Sequence, residues 1–503
     1  MASKKSKISR REFLKRGGQA TAGTIAGASA IAAGAAPAIG KNILGANDRI
    51  NMAVVGLRSR GGYLMQSFAG MDNVQVKTIV DIDENLFARR AEECEKLQGV
   101  KPGMEWDMRK AYEDKEIDAV AIGAPNHWHA LGTIWAAQNG KHVYVEKPSS
   151  HNVWEGRKMV EAARKHNVLV QVGFQNRSRG NTNAAMKFLH EGKLGKIYYA
   201  RGLCFKPRND IGRYPDGPLK PGETFSFTVG SSAKEPPYTE SYLSKVHYDM
   251  WLGPAPNRPF NRNHFHYNWH WHREYGNGDT GNQGPHQFDI ARWGLNKDEY
   301  PVKVRSFGGM FVYDSSQTTP NTQTSIFEYA DGTIMEFCTR GLLTNPEGLP
   351  TDAQMTRGTN GAWKTHLSGE ITIGDLFFGS EGWMQIDAGG NWQTFFGRKN
   401  EPGPNSADIS EEEYDAMNLA GGGDSVHFQN FIKALRSGKQ SDLTCDIEEG
   451  HRSSALPLIA NVSYYLGREL AFDGEKEKFV NDREANKLLT RNYRKPYIVP
   501  DKV

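Results

Sequence analysis

Five short strand-like runs separated by helix-like stretches constrain the first third of this chain more than any other feature. They are Met52–Val55, Val74–Val80, Asp118–Ala124, His142–Val145 and Val168–Phe174. Between the last two, Asn152 with Glu155 three residues on forms a helix-start signature. Val153, Gly156, Val160 and Ala163 then recur at the spacing of one helix face. Repeated strand–helix alternation of this kind builds a doubly wound parallel sheet, an α/β Rossmann-type arrangement. Ligands of such sheets bind in the crevice outside the carboxyl ends of the strands. The residues that follow each strand are therefore the ones to read.

The first strand runs into Gly56-Leu57-Arg58-Ser59-Arg60-Gly61-Gly62 and a helix from about Tyr63 to Ala69. Gly56 permits a tight turn, and Gly61 lets a helix N-terminus approach a pyrophosphate beside Ser59 and Arg60. Arg58 stands where the GxGxxG pattern has its second glycine, so its Cβ crowds the phosphates unless the guanidinium itself pairs with them. The next strand ends in Asp81, 25 residues after Gly56, where a carboxylate accepts hydrogen bonds from ribose hydroxyls. Asp83 and Glu84 follow and repel a 2′-phosphate, which favours NAD over NADP; Arg58 and Arg60 pull the other way. Asp81 also reads as a helix N-cap. The later strand ends are Pro125-Asn126-His127-Trp128-His129, Glu146-Lys147-Pro148 and Gln175-Asn176-Arg177. An ammonium at Lys147 can meet both a bound cofactor and whatever reacts with it; the plain alternative is a surface lysine capping a strand.

After about residue 180 the period changes. Alternating strands are expected at 197–205, 302–307, 324–329, 333–339, 370–373 and 383–386, with Asp331-Gly332 as a hairpin turn. They describe a mostly antiparallel sheet, interrupted by Gly/Pro-rich loops at 206–240, 340–368 and 388–424. Helices follow over Asp424–Arg436 and Ser453–Arg468. In residues 264–289, Phe265, Tyr267, Trp269 and Trp271 supply flat apolar faces, while His264, His266, His270, His272 and Arg273 supply polar tips. Carbohydrate rings use that mixture. Ordinary core aromatics with satisfied histidines are the bland alternative. Zinc is a third reading, since His-x-His spacing permits it, but no Cys or acid sits at convincing spacing and no metal is expected.

Together these residues resemble the glucose–fructose oxidoreductase/inositol dehydrogenase (Gfo/Idh/MocA) family, over roughly residues 48–475. The Glu146-Lys147-Pro148 tripeptide, at this distance after the PNHxH segment, is the most specific element, supported by Gly173-Phe174-Gln175. The resemblance implies an NAD-binding Rossmann domain at 48–175 and an α+β substrate domain with an open sheet at 176–424. C-terminal helices and a tail at 425–503 then return to the first domain. It implies an NAD(P)-dependent oxidoreductase acting on a sugar, sugar alcohol or glycoside. The cofactor would be held by Gly56, Arg58, Ser59, Arg60, Gly61, Asp81, Asn126, His129, Glu146, Lys147 and Asn176. Substrate would meet Trp269, His270, His272, Arg273, Asp279 and Asn282, with Lys147 and His286 catalytic. The family's Asp-x-x-x-His falls here on Asn282 and His286. Asparagine takes no proton, so proton transfer falls to His286, with an imidazole pKa near working pH, and to Lys147. Family members often pair through the open face of the second sheet, so a homo-oligomer is expected.

The formal charge of +4 comes from the N-terminus: residues 1–38 hold seven Lys and Arg against Glu12, and the rest of the chain is slightly acidic. No basic stripe points to nucleic acid. Ser9-Arg10-Arg11-Glu12-Phe13-Leu14-Lys15 and the Gly/Ala-rich run after it resemble a twin-arginine export signal, with cleavage expected near Ala36 or Ala38. The run is too weakly apolar for a membrane anchor, and no lipobox cysteine is present. The four cysteines form no CxxC pair. The expected partner is the twin-arginine translocation machinery, and the expected location is periplasmic or secreted. Free NAD is scarce there, so the cofactor is expected to stay bound. That favours coupled oxidation and reduction of two sugars. A redox-neutral glycoside cleavage through transient oxidation and elimination is the alternative, and a cofactor-bearing binding protein without turnover is a third.

Overall fold

Six parallel strands form the first sheet of the computed structural model, which describes residues 49–224, 238–349, 371–410 and 423–503. It also describes the backbone of residues 228–229, 233–234, 356–357 and 363–364. The expected export segment, residues 1–38, lies outside the described residues. The strands are β1 (Ile50–Val55), β2 (Val74–Val80), β3 (Gly103–Glu105), β4 (Ala119–Ile122), β5 (His142–Val145) and β6 (Val170–Val172). Their order is β3-β2-β1-β4-β5-β6, so the direction of winding reverses between β1 and β4. That switch point opens the crevice. β4 and β5 are buried at every residue, as continuous apolar strands covered on both faces must be.

The helix Ser59–Ala69 begins four residues earlier than the apolar pattern places it. Glycine packing is the reason. Gly56 has φ +82°, and a Cβ there would lie 2.9 Å from the Gly123 backbone after β4. A Cβ on Gly61 would lie 1.8 Å from the Gly56 carbonyl oxygen. The helix start is therefore seated directly on the turn. After β4, Asn126-His127-Trp128-His129 form the first turn of the helix Asn126–Gln138, with Pro125 at its N-cap.

The second sheet is mostly antiparallel. Its ten strands are β7 (Ile197–Phe205), β8 (Lys303–Gly309), β9 (Thr322–Glu328), β10 (Ile334–Arg340), β11 (Ile373–Gly379), β12 (Gly382–Asp387), β13 (Trp392–Phe396), β14 (Glu401–Asn405), β15 (Leu470–Asp473) and β16 (Lys478–Phe479). They run β14-β13-β12-β11-β7-β10-β9-β8-β15-β16, and only β7 and β10 pair in parallel. Three segments depart from expectation. β11 begins where the expected strand over 370–373 ends, because Gly374 and Asp375 read as a turn. Gly374 is required there, since a Cβ would stand 2.1 Å from the Ile386 oxygen on β12. β13 and β14 occupy part of the expected 388–424 loop. With Pro402 and Pro404, β14 is confined to the sheet edge, where missing N–H donors cost nothing.

The helix Ile447–Leu466 starts six residues before the expected Ser453, capped by Asp446, and continues through the buried Pro457. It packs on the helix Val153–His166 of the first half and on β8 and the helix Gly284–Gly294 of the second. The helix Ser425–Ser437 buries Phe428, Phe431, Ile432 and Leu435 against the first sheet's core. Among the described residues no helix is long and apolar enough to cross a membrane.

Candidate active site

A cavity of about 340 Å³ lies over the carboxyl ends of β1, β2 and β4. Gly56, Arg58, Ser59, Arg60, Asp81, Asn126, His129, Glu146 and Lys147 line it. Gly61 does not; it is packed beneath the turn. Asp81 accepts from the Leu57 N–H at 2.7 Å and the Asp83 N–H at 2.9 Å, which ties the end of β2 to the glycine turn. Burial, reinforced by the neighbouring Asp83, pushes its carboxyl up to about 6. The capping role belongs to Asp83, which accepts from the Asn85 N–H, not to Asp81.

Arg58 lines the groove, and its guanidinium is engaged by protein partners there. Its guanidinium donates to Asp83 at 2.8 Å and to the Tyr242 hydroxyl at 2.7 Å. Asp83 is fully buried and stands 3.2 Å from His266. Against the cost of burial, His266, Arg58 and Tyr242 hold it ionised, well below the usual carboxylate range. Its charge is thus neutralised inside the protein, and the expected repulsion of a 2′-phosphate loses that member. Glu84 pairs with His247 at 2.6 Å. Arg60 is also committed, to Glu146 and Asp424 at 2.7 Å each. His129 braces two strand ends: its ring nitrogens reach the Pro148 and Ala124 carbonyls at 2.6 and 2.8 Å. Asn126 is 4% exposed, and its Oδ1 has no protein partner. A lone buried amide oxygen in a groove over a helix start fits a nucleotide ligand.

A segment of the second half roofs this groove. The His247 N–H donates to the Ile82 carbonyl at 2.8 Å, the Glu84 N–H to the Lys245 carbonyl at 3.1 Å, and Trp106 stacks on His247 at 4.0 Å. Beyond it Trp251, His266, Tyr267, Trp269 and His270 line the cavity. His127 clamps the roof from below, with its ring nitrogens at the Trp251 and Tyr275 carbonyls.

A second, polar cavity of about 290 Å³ shares Arg60, Glu146, Lys147 and Gln283 with the groove. Gln175, Asn176, Arg179, His286, Gln287 and Asp424 complete its polar lining. Asn176 therefore faces this cavity rather than the groove. Lys147 Nζ stands at the junction and donates to the Asn282 carbonyl at 2.7 Å. Burial lowers its pKa to about 8, opposed by Glu146 and assisted by Arg60 and Lys206. His286 occupies the first turn of the helix Gly284–Gly294 and packs edge-on to Phe174. Burial, and then the Lys147 charge, hold it well below the usual imidazole range. The expected near-neutral His286 is thus corrected: Lys147 is the group that titrates near neutrality. His286 Nδ1 is buried without a protein partner. Asp424 and Arg179, which sequence reasoning missed, pair at 2.9 Å across this cavity. No local motif marks them, and their only signal is that Asp424 precedes a helix.

The aromatic–histidine run divides. Trp269 and His270 face the groove, stacked at 3.6 Å, on the short 3-10 helix Asn268–Trp271. The chain then turns away. His272 packs edge-on to His264 at 4.2 Å, and the Arg273 guanidinium lies 4.0 Å from the Tyr465 ring centre; neither lines the groove or the polar cavity. Asp279 makes a bidentate ion pair with Arg208 at 2.6 and 2.9 Å, so it cannot replace the missing acid at Asn282. Among the described residues no group of three His, Cys, Asp or Glu is placed to hold a metal ion.

Comparison with known proteins agrees with this architecture. The family described as Oxidoreductase family, NAD-binding Rossmann fold matches residues 50–174. Its companion, Oxidoreductase family, C-terminal alpha/beta domain, matches residues 224–369 and 414–499. Over 169 residues the chain is 30% identical to Glycosyl hydrolase family 109 protein 1 of Shewanella sp. (strain ANA-3) and to Alpha-N-acetylgalactosaminidase of Shewanella oneidensis. Those matches span 31% of this chain and only 37% of each relative. Among solved structures, the fold resembles aldose-aldose oxidoreductase from Caulobacter crescentus, at TM-score 0.57 and 14% identity over 84% of this chain and 100% of that one. Levoglucosan dehydrogenase in complex with NADH and levoglucosan gives TM-score 0.57 and 17% identity, over 84% of this chain and 99% of that one. With two family regions covering most of its length, the chain belongs to the Gfo/Idh/MocA oxidoreductase family, an NAD-binding Rossmann domain followed by the family's C-terminal domain.

Proposed function

We propose that this protein is an exported carbohydrate oxidoreductase that keeps its NAD bound through turnover. The observation that carries the reading is the position of Lys147, at the junction between the dinucleotide groove and the polar cavity that also contains His286. NAD, when bound, supplies the hydride acceptor. Asp81 accepts from the ribose hydroxyls, and its carboxylate favours NAD over NADP. The Asn126 amide and the start of the helix Ser59–Ala69 hold the remainder. Lys147, with a pKa of about 8, takes the proton of the reacting hydroxyl as a neutral amine. His286, held neutral, hydrogen-bonds that hydroxyl and orients it. The roof over the groove favours retention, because exit of the cofactor requires breaking its contacts with residues 82–84. Export rests on Ser9–Lys15, and retention suits a compartment poor in free NAD. A second copy of the chain is the proposed partner of the exposed Tyr198, Phe307 and Ile326 on the second sheet.

A redox-neutral glycoside cleavage is the second reading. The likeness to the glycosyl hydrolase family 109 proteins over 169 residues favours it, as does the loss of the family acid at Asn282. The test uses purified protein carrying its own cofactor, with free sugars and 4-nitrophenyl glycosides and no added NAD. A change in the bound nicotinamide absorbance on adding sugar, without nitrophenol release, supports the oxidoreductase. Nitrophenol release moves the assignment to glycoside cleavage. Silence in both arms overturns both readings and leaves a sugar-binding protein.

A further inference from the structure

Beyond Trp271 the chain lines a third cavity, of about 420 Å³, that shares no lining residue with the other two. Residues 273–277 form one wall. The others are the start of the helix Val153–His166, the helix Ile447–Leu466 and the tail at 488–492. Two arginines face it. Arg273 makes no ion pair with any described acid, and its guanidinium lies 4.0 Å from the Tyr465 ring centre. Arg491 donates to the Glu274 carbonyl at 2.9 Å, its nearest carboxylate is Glu155 at 3.8 Å, and its Nη2 is buried without a partner.

Among the described acids nearby, the one that pairs with either arginine is Glu155, 3.8 Å from Arg491 Nε. Glu274 turns to Arg258, while Glu155 accepts from the His151 N–H at 3.2 Å and the Tyr493 hydroxyl at 3.0 Å. The cavity also sits at the positive end of a 14-residue helix. Asn461, 3% exposed, donates to the Asn277 carbonyl at 3.1 Å and leaves Oδ1 unpaired; the Tyr465 hydroxyl is likewise unpaired. Unspent guanidinium donors select a carboxylate or phosphate, while a buried amide oxygen selects a hydroxyl donor. The volume exceeds that of an inorganic ion and suits a monosaccharide-sized ligand.

We propose that this cavity is a second ligand site, for a small polyhydroxylated anion such as a sugar acid or a sugar phosphate. Its anionic group lies between Arg273 and Arg491, and its hydroxyls meet Asn461 and Tyr465. One continuous segment links the site to the catalytic centre. Trp269 and His270 line the groove, Arg273 and Asn277 line this cavity, and Asn282 holds Lys147.

The test is calorimetric titration of the cofactor-loaded protein with glucuronate, glucose 6-phosphate and glucose. Wild type is compared with Arg273→Gln, an exposed position whose change does not threaten the fold, and with His286→Ala in the catalytic cavity. Saturable binding of one of the two anions is expected, weakened about tenfold or more by Arg273→Gln and retained in His286→Ala. Binding of glucuronate alone assigns a carboxylate ligand, and binding of glucose 6-phosphate alone a phosphate ligand. Failure of both anions to bind overturns the proposal, as does binding indifferent to Arg273→Gln or binding lost with His286→Ala. None of these outcomes depends on the assignment of turnover at Lys147.

Discussion

Burial, assisted by the charges of Arg60 and Lys206 and opposed by Glu146, brings Lys147 down to about 8, near working pH. Below about 8 it is an ammonium and above about 8 an amine. If the amine accepts the substrate proton, kcat/KM for sugar oxidation rises with pH and levels off above about 8. Replacing the group as Lys147→Ala is expected to lower kcat by about 10²–10⁴-fold with the circular-dichroism spectrum unchanged. A flat pH profile, or wild-type turnover in the variant, removes Lys147 from the chemistry. Asp81 has the opposite shift. Its carboxyl is raised to about 6, so it is neutral below that pH and charged above it. NAD affinity of cofactor-stripped protein is therefore expected to fall as pH drops below about 6, and Asp81→Asn to abolish that dependence. Both residues were legible in the sequence because each ends a strand at a crevice whose place the strand–helix alternation implies. Asp424 and Arg179 were not. They reach the polar cavity from elements far apart in the chain, and only folding brings them beside Arg60.

Elements carry the next level of constraint, and the glycine turn is the tightest of them. Gly61→Ala places a methyl 1.8 Å from the Gly56 oxygen, against backbone rather than a movable side chain. The helix start must shift, at a cost of about 3 kcal/mol, read as a lower urea midpoint together with loss of bound NAD. The roof makes a separate prediction. Tyr242 donates to Asp83 at 2.6 Å and accepts from Arg58, linking the roof to the end of β2. Tyr242→Phe removes about 1–1.5 kcal/mol of hydrogen bonding and is expected to speed NAD release roughly tenfold. Transfer of cofactor to a competing dehydrogenase measures that rate, and an unchanged rate means that the roof does not gate exit. The strands that were legible are those buried in one period, continuous in β4 and β5 and alternating in β7 to β10. Edge strands escape such a reading. β3 is three largely exposed residues, and β14 carries two prolines, so neither has an apolar pattern to find.

At the scale of the whole molecule, three elements meet at one buried charge cluster. Arg177, just beyond β6, holds Asp289 of the helix Gly284–Gly294 through two nitrogens at 2.8–2.9 Å. The Ser453 hydroxyl donates to Asp289 at 2.6 Å, and Glu449, also on the helix Ile447–Leu466, bridges Arg177 and Arg292. Asp289 and Arg292 are nearly fully buried, so the cluster is stabilising only while its charges balance. Asp289→Asn preserves shape but leaves two arginines to one glutamate. The expected loss is about 3–5 kcal/mol, measured by denaturant unfolding. Because the cluster binds the first sheet, the substrate-side helix and the C-terminal helix together, wild type is expected to unfold in a single calorimetric transition. The Asn variant is expected to show two, as the halves uncouple. His286 lies one turn before Asp289 on the same helix. The variant should therefore also lose turnover at temperatures where both halves remain folded, while its NAD content, set by the glycine turn and the roof, is retained. Loss of both together would mean that the cluster supports the groove as well as the polar cavity.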